Sequence, residues 1–366
     1  MESLPLWALA LIFAGAAAVI WVAGIQLSKQ TDVLDARFRL GSALGGLILL
    51  ALATNLPEIA ITVSAALAGN VGVAVGNILG GIAIQTVVLV VLDVVGTKGG
   101  KPLSYRAASL TLVIEAITVV GVLGVVIAGS QMPPGLVLFR LTPAAVLIAV
   151  IWLLGLLLVQ RSQKSLPWHA QGQAPDGQSA PKGHAKASAQ NSSQTSGRSD
   201  AASSRNKTGT GKALGIFLVA AAATLGSGVL LERSGDAIAG QIGLSGVLFG
   251  ATFLALATSL PEISTGLASV RQGDFQLAVS DIFGGNAFLP VLFLVAVLIS
   301  GTPVLPQAHA SDIYLTALAI LLTLVYMLGL LFRPASRVLG MGVDSLVVLV
   351  LYLAGVAGLF AVASSG

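Results

Sequence analysis

Uninterrupted apolar runs of around twenty residues recur along this 366-residue chain. That length is what a helix needs to cross the hydrocarbon core of a bilayer, about 30 Å thick. By length alone the chain could hold two or three soluble domains. Its composition points elsewhere: 55% of residues are hydrophobic, only 9% are charged, and the mean hydropathy is +0.93. A soluble domain carries roughly a quarter charged residues. The pattern therefore predicts an all-α polytopic membrane protein.

Ten spans are expected, at 6–27, 40–67, 71–93, 106–128, 136–160, 212–231, 243–270, 274–299, 312–332 and 342–363. The first reads as a true span rather than a signal peptide, because its leading segment carries Glu2 and no Lys or Arg. Between the fifth and sixth spans, residues 161–211 are rich in Gln, Ser, Ala, Gly and Lys and show no apolar period. Such a segment buries too little surface to offset its ordering entropy, so it reads as a disordered linker. The chain thus divides into 1–160, a linker at 161–211, and 212–366. Within the linker, Asn206–Ala213 (NKTGTGKA) resembles a phosphate-binding loop only superficially. It lacks the first glycine, has Ala213 where Ser or Thr is needed, and follows no strand, so no nucleotide is expected.

There are no cysteines, and His169, His184 and His309 all fall outside the apolar runs. This argues against a zinc, copper or iron centre in the membrane and against disulfides, and no cofactor is expected. The net charge of +4 is better explained by basic cytoplasmic loops than by nucleic-acid binding. Seventeen of the 19 Lys and Arg residues fall in the loops after spans 1, 3, 7 and 9 and in the linker; the exceptions are Arg140, assigned to span 5, and Arg233. The positive-inside rule then puts the linker in the cytoplasm and both termini outside, as in a bacterial inner (plasma) membrane.

The chain uses one stretch twice. Residues 46–86 and 250–290 align without a gap and share Leu-Ala-Leu-Ala-Thr, Leu-Pro-Glu, and a glycine fifteen residues after the threonine. Nineteen residues past Glu58 and Glu262 stand Asn77 and Asp281, each followed by a Gly-Gly pair. Five spans per half is an odd number, so the halves enter the membrane in opposite directions. This is the inverted-repeat plan of secondary transporters, with a substrate site near the midplane.

Glu58 and Glu262 lie deep in apolar runs, where a carboxylate costs on the order of 3 kcal/mol by insertion scales. No Lys or Arg lies at matching depth, which leaves protons or bound cations as partners. Pro57 and Pro261 each remove a backbone donor and break the helix locally, freeing carbonyls where they can line a cavity. Thr54 and Glu58 are four residues apart, as are Thr258 and Glu262, so each pair shares a helical face. Carboxylate, hydroxyl and carbonyl oxygens together suit hard cations such as Ca²⁺ or Na⁺. The glycines at 76–81 and 284–285 are expected to let spans 3 and 8 approach the broken helices, directing Asn77 and Asp281 to the same place. For Asn77, a helix-to-helix hydrogen bond is the structural alternative. Glu115 is a weaker proton-site candidate, Asp344 reads as interfacial or a cap, and Asp93 and Asp312 read as solvated.

The two Ala-Thr-x-Leu-Pro-Glu segments, each followed by Gly-x-x-x-x-Ala-Val-x-Asn/Asp-x-x-Gly-Gly, resemble the two α-repeats of the Ca²⁺/cation antiporter superfamily, especially its sodium/calcium exchanger membrane domain. The resemblance implies ten helices as two inverted five-helix repeats and alternating-access exchange of Ca²⁺ against Na⁺, or against H⁺ in one branch. It makes Glu58 and Glu262 central Ca²⁺ ligands, with Thr54, Thr258 and Ser259 lending oxygens. Asn55, Asn77, Gln85 and Asp281 complete the candidate set. The chain departs from the family pattern at Gly81 and Gly285, where serine is usual, at Asn55, which also replaces serine, and at Gln85 and Leu289. Asp281 stands where Asn is common. These losses of oxygen should weaken some Na⁺ sites. The competing readings are a proton-coupled exchanger of the same fold and, further off, a channel or an inactive homologue. No Ser/His, paired-Asp or metal-His arrangement suggests an intramembrane enzyme. Inorganic cations and the lipid bilayer are the expected partners.

Overall fold

The structure is a computed structural model that describes residues 1, 4–38, 51–97, 100–137, 140–164 and 210–365. The expected linker, and the first part of the span expected at 40–67, fall largely outside them. Among the described residues, nine helices are long and apolar enough to cross a membrane, and a tenth, shorter apolar helix spans Leu56–Ala68. The first half runs α1 (Leu6–Phe38), a helical turn at 51–54, α2 (Leu56–Ala68), α3 (Val71–Val91) with a π-helical extension (Leu92–Gly96), α4 (Leu103–Ala107), α5 (Leu110–Ser130) and α6 (Pro143–Lys164). The second half repeats the order: α7 (Thr210–Ile242), α8 (Gly246–Phe249), a π-helical turn (Gly250–Leu254), α9 (Ala255–Thr258), α10 (Leu260–Arg271), α11 (Phe275–Phe288), α12 (Leu292–Ser300), α13 (Ala310–Phe332) and α14 (Val343–Ser365). The only strands among the described residues are β1 (Arg337–Val338) and β2 (Met341–Gly342), a hairpin closed by Leu339 and Gly340 at φ 54° and 82°. Two positive φ values are what a tight hairpin turn requires.

The motif-bearing spans lie at the centre. In the most apolar 18 residues of each span, 78% are buried in Val71–Gly96 and 67% in both Gly246–Arg271 and Phe275–Ser300, against 28% in Leu6–Thr31 and 22% in Val343–Val362. Ile78, Leu79 and Ile82 of α3 join Ile282 and Phe283 of α11 and Tyr326 of α13 in the largest apolar core. The crossing of α3 with the second repeat is a backbone contact. A Cβ on Gly76 would stand 2.6 Å from the Val247 carbonyl oxygen, and one on Gly80 2.3 Å from the Ala251 Cα. The repeated glycines Gly69 and Gly273 have φ of 79° and 81°, the left-handed conformation that ends α2 and follows α10.

Several boundaries differ from the sequence expectation. The loop expected after span 6 does not exist: α7 continues through Glu232, Arg233 and Asp236. Its acids lie one turn apart and meet the first repeat, with Ser64 donating to Glu232 at 2.9 Å and Asn70 to Asp236 at 3.1 Å. The fourth span begins at Leu110 instead of 106, because Ala108 leaves helical geometry (φ −44°, ψ 117°) and the extended Ser109 caps the helix by accepting from the Thr111 N–H. Arg140 precedes α6 instead of lying within it. Asp93 and Asp312, expected to be solvated, are buried. Asp93 accepts from the Leu103 and Gly342 N–H groups at 2.8 and 2.6 Å and from Ser345 at 2.9 Å, joining three segments at one carboxylate. Asp312 accepts from the His309 N–H at 2.8 Å in the first turn of α13. Asp344 also lies in a first turn, that of α14, yet is buried against Gly329 and Gly342.

Candidate ion-binding site

Each repeat breaks its central helix at one place, and the reason is local. Pro57 and Pro261 have no N–H to give the carbonyls of Ala53 and Ala257, four residues earlier. The chain leaves regular helix at Asn55 (φ −87°, ψ 12°) and Ser259 (φ −80°, ψ 1°), then resumes with Leu-Pro-Glu. The side chains at the break are arranged alike in both copies. Thr54 and Asn55 donate to the Ala51 carbonyl at 3.3 and 2.6 Å; Thr258 and Ser259 donate to the Ala255 carbonyl at 3.2 and 2.8 Å. The breaks bring Glu58 and Glu262 into the protein interior, where both are buried.

Contacts form within and between the repeats. Within the first, Gln85 donates to Glu58 Oε1 at 3.4 Å. The Thr258 hydroxyl faces both Asn77 Oδ1, at 3.5 Å, and the Glu58 carboxylate. Glu262 lies within electrostatic reach of Glu58 and Asp281. Glu58, Asn77, Gln85, Thr258, Glu262 and Asp281 are therefore gathered in one region. Thr54 and Ser259 stand at the breaks beside it, bonded to carbonyls of their own repeats. Asn77 thus makes the helix-to-helix contact foreseen as its structural alternative while standing beside the acidic pair.

The polar inventory does not balance. Glu58 Oε2, both carboxylate oxygens of Glu262, Asn55 Oδ1 and Gln85 Oε1 are buried with no hydrogen-bond partner among the described residues. Among the described residues, no basic side chain stands against either glutamate. Leaving such groups unpaired costs free energy, and far more when the group is charged. Among the described residues, no three His, Cys, Asp or Glu side chains form a metal cluster. The oxygens on offer come from carboxylates, amides and hydroxyls together.

Two residues of this region were not foreseen. Thr265 donates to Asp281 Oδ2 at 2.7 Å; its spacing of three from Glu262, on one helical face, was the available signal. Asn286 is buried with Oδ1 unpartnered, and its amide reaches Ile82 O and Thr86 Oγ1 at 3.4 Å. It directly follows the second Gly-Gly pair.

The glycine expectation needs correction in the second repeat. Gly80 closes against backbone, but a Cβ on its repeat mate Gly284 would meet nothing within 4 Å. Gly285 instead faces the first repeat. A Cβ there would stand 3.1 Å from Asn55 Nδ2 and 3.7 Å from Gln85 Oε1, whereas one on Gly81 would meet Leu289 at 3.6 Å. Asn55 is larger than its mate Ser259 and fills the volume that Gly285 vacates. The consequence is an expected coupling. Gly285→Ser alone should destabilise the protein by about 1–3 kcal/mol through overpacking, and Asn55→Ser should recover most of that loss. Thermal unfolding of the two single variants and the double variant measures it; additive losses would show that the positions are independent.

Comparison with known proteins agrees with this architecture. The family model described as sodium/calcium exchanger protein matches residues 8–159 and 212–361. The chain is 27% identical over 302 residues to the putative antiporter CaxA of Alkalimonas amylolytica, covering 81% of this chain and 82% of that protein. It is 25% identical over 311 residues to the inner membrane protein YrbG of Escherichia coli (strain K12), covering 84% of each. Among solved structures, the sodium-calcium exchanger NCX_Mj soaked with 100 mM Na⁺ and 10 mM Sr²⁺ superposes with a TM-score of 0.58 at 15% identity, covering 96% of this chain and 99% of that one. The H⁺/Ca²⁺ exchanger CAX gives 0.60 at 12% identity, covering 98% and 89%. At those identities the structures establish the shared polytopic helical fold. Matching in both halves, around two broken helices that each carry a buried glutamate, this chain is an integral multi-pass membrane protein and a cation antiporter of the sodium/calcium exchanger family.

Proposed function

We propose that this protein exchanges Ca²⁺, or a closely related cation, for Na⁺ by alternating access, with Glu58 and Glu262 as the central ligands. The observation that supports this reading is the buried glutamate pair itself. Two carboxylates from equivalent positions of the repeats lie within electrostatic reach of one another in the interior, and among the described residues three of their four oxygens have no hydrogen-bond donor and no Lys or Arg neutralises them. A hard cation satisfies such oxygens directly. Thr54, Asn55, Asn77, Gln85, Thr258, Ser259 and Asp281 supply the surrounding hydroxyl, amide and carboxylate oxygens. In this reading the site lies near the bilayer midplane, 1–160 and 212–366 are the two exchanger repeats, and both termini face outside with the linker cytoplasmic. The driving force is an ion gradient.

A second reading couples the same site to protons. It is favoured by the positions that bring no side-chain oxygen: Gly81, Gly285 and Leu289, the last 3.6 Å from where a Cβ on Gly81 would lie. Fewer oxygens make weaker Na⁺ sites, whereas a proton needs only a carboxylate. The test is ⁴⁵Ca²⁺ uptake into proteoliposomes, first under an imposed Na⁺ gradient and then under an imposed pH gradient. Na⁺-driven uptake is the expected result. Uptake with H⁺ alone would move the protein to the proton-coupled reading, and no uptake with either would overturn Ca²⁺ as the substrate.

A further inference from the structure

Several buried acids lie outside the site above, and one of them is hydrogen-bonded to the helix that carries Asp281. Glu115 sits on α5, just over one turn into the span, and is buried with Oε2 unpartnered. Its Oε1 accepts from the Ser280 hydroxyl of α11 at 2.8 Å, the one hydrogen bond to this carboxylate among the described residues. The next residue on α11 is Asp281, whose Oδ2 accepts from Thr265, three residues beyond Glu262. Ser280 and Asp281 are adjacent, so they leave α11 in different directions, one toward α5 and the other toward α10. A single helix therefore joins Glu115 to the acid that faces Glu262.

The arrangement occurs in one half only. In the register that pairs Glu58 with Glu262, Glu115 corresponds to Ala319, Ser280 to Gly76 and Asp281 to Asn77. The symmetric scaffold does not require these acids, so packing leaves their presence unexplained. The titratable or charged groups on the helices packed against α5 are Asp281 of α11, Arg161 and Lys164 of α6, and Asp312, Tyr314 and Tyr326 of α13. The Thr111–Ser162 hydroxyl contact, at 3.0 Å, sets the Arg161 end of α6 one turn from Glu115. Among the described residues the Ser280 hydroxyl is the donor this carboxylate has, and an uncompensated charge in an apolar span is costly.

We propose that Glu115 is a proton-binding site of the transport cycle, separate from the Glu58–Glu262 pair and linked to it through α11. Its protonated form holds the Ser280 contact, and loss of its proton makes exchange pH-dependent; this linkage rests on the transport function proposed above.

Glu115→Gln keeps the shape and a hydrogen bond to Ser280 while removing the proton site. Infrared difference spectra of the full-length protein in lipid should show one protonated-carboxyl C=O component that is absent from E115Q and that disappears from the wild type on alkaline titration. Across the pH range of that titration, the wild-type ⁴⁵Ca²⁺ uptake rate should change with pH, whereas the E115Q rate should vary by less than about twofold. A purely structural role would lower the rate equally at every pH. An unchanged carboxyl band in E115Q overturns the proposal, as does an unchanged pH profile. Should the wild type move no Ca²⁺, the transport reading fails by itself, and the infrared band still decides whether Glu115 holds a proton.

Discussion

Glu262→Gln is expected to abolish cation exchange while leaving the protein folded and inserted. The substitution preserves volume and removes one charge from a side chain whose two carboxylate oxygens have no hydrogen-bond donor among the described residues. If those oxygens ligate the transported ion, a charge-assisted contact of about 1.5–3 kcal/mol is lost, so affinity should fall by roughly tenfold to a hundredfold. Flux should then drop to the level of empty vesicles. Glu58→Gln should act in the same direction, with Gln85 still able to bond the new amide oxygen. Removing the charge should also make the apo protein more stable to heat, because an uncompensated buried acid is itself costly. Wild-type ⁴⁵Ca²⁺ flux in E262Q would reject the site assignment outright. Loss of flux together with loss of folded protein would instead show that Glu262 is structural.

Among the described glycines, Gly80→Ala should be the most damaging single methyl. The new Cβ would stand 2.3 Å from the Ala251 Cα, 2.6 Å from its oxygen and 2.8 Å from its carbonyl carbon, all backbone atoms. Backbone cannot rotate aside as a side chain can, so α3 and the opposing turn must separate. Overpacking costs about 1–3 kcal/mol where side chains can adjust, and this case belongs at or beyond the upper end. The separation would also part Asn77, one turn before Gly80 on α3, from Thr258. Loss of monodisperse protein in detergent, or a large fall in unfolding temperature, is the expected readout. Gly284→Ala is the control. A Cβ there meets nothing within 4 Å, and alanine is the better helix former by roughly 1 kcal/mol, so that variant should be neutral or stabilising. Equal behaviour of the two would refute the backbone-contact account.

The contrast between Gly80 and Gly284 marks what a sequence can and cannot convey. Spans, the inverted repeat, the helix breaks and the acidic pair were legible, because each follows from local chemistry. Length and apolarity define a span, proline withholds a donor, and a carboxylate deep in an apolar run demands a partner. The extents of α1 and α7 were not legible. Their polar ends, around Lys29 and Glu232, read as loops, yet α7 stays helical through Glu232 and Asp236, whose partners Ser64 and Asn70 lie more than 160 residues away in sequence. Asp93 was misplaced for the same reason: its donors at 103, 342 and 345 meet only in the folded chain.

The sequence by itself determined that this chain crosses the membrane as two related halves, each holding a glutamate behind a proline, since those features depend on composition and short-range spacing. Tertiary structure decided the rest. It placed Thr258 of one repeat against Glu58 and Asn77 of the other, seated Asn55 in the volume left by Gly285, and bonded Glu115 to Ser280 instead of leaving it to lipid. The physical reason is that a repeat fixes its own breaks and bonds through neighbours a few residues away. The pairing across the two repeats depends on where backbones can touch, and that is set by the three-dimensional crossing of α3 with the turn at Gly250–Leu254.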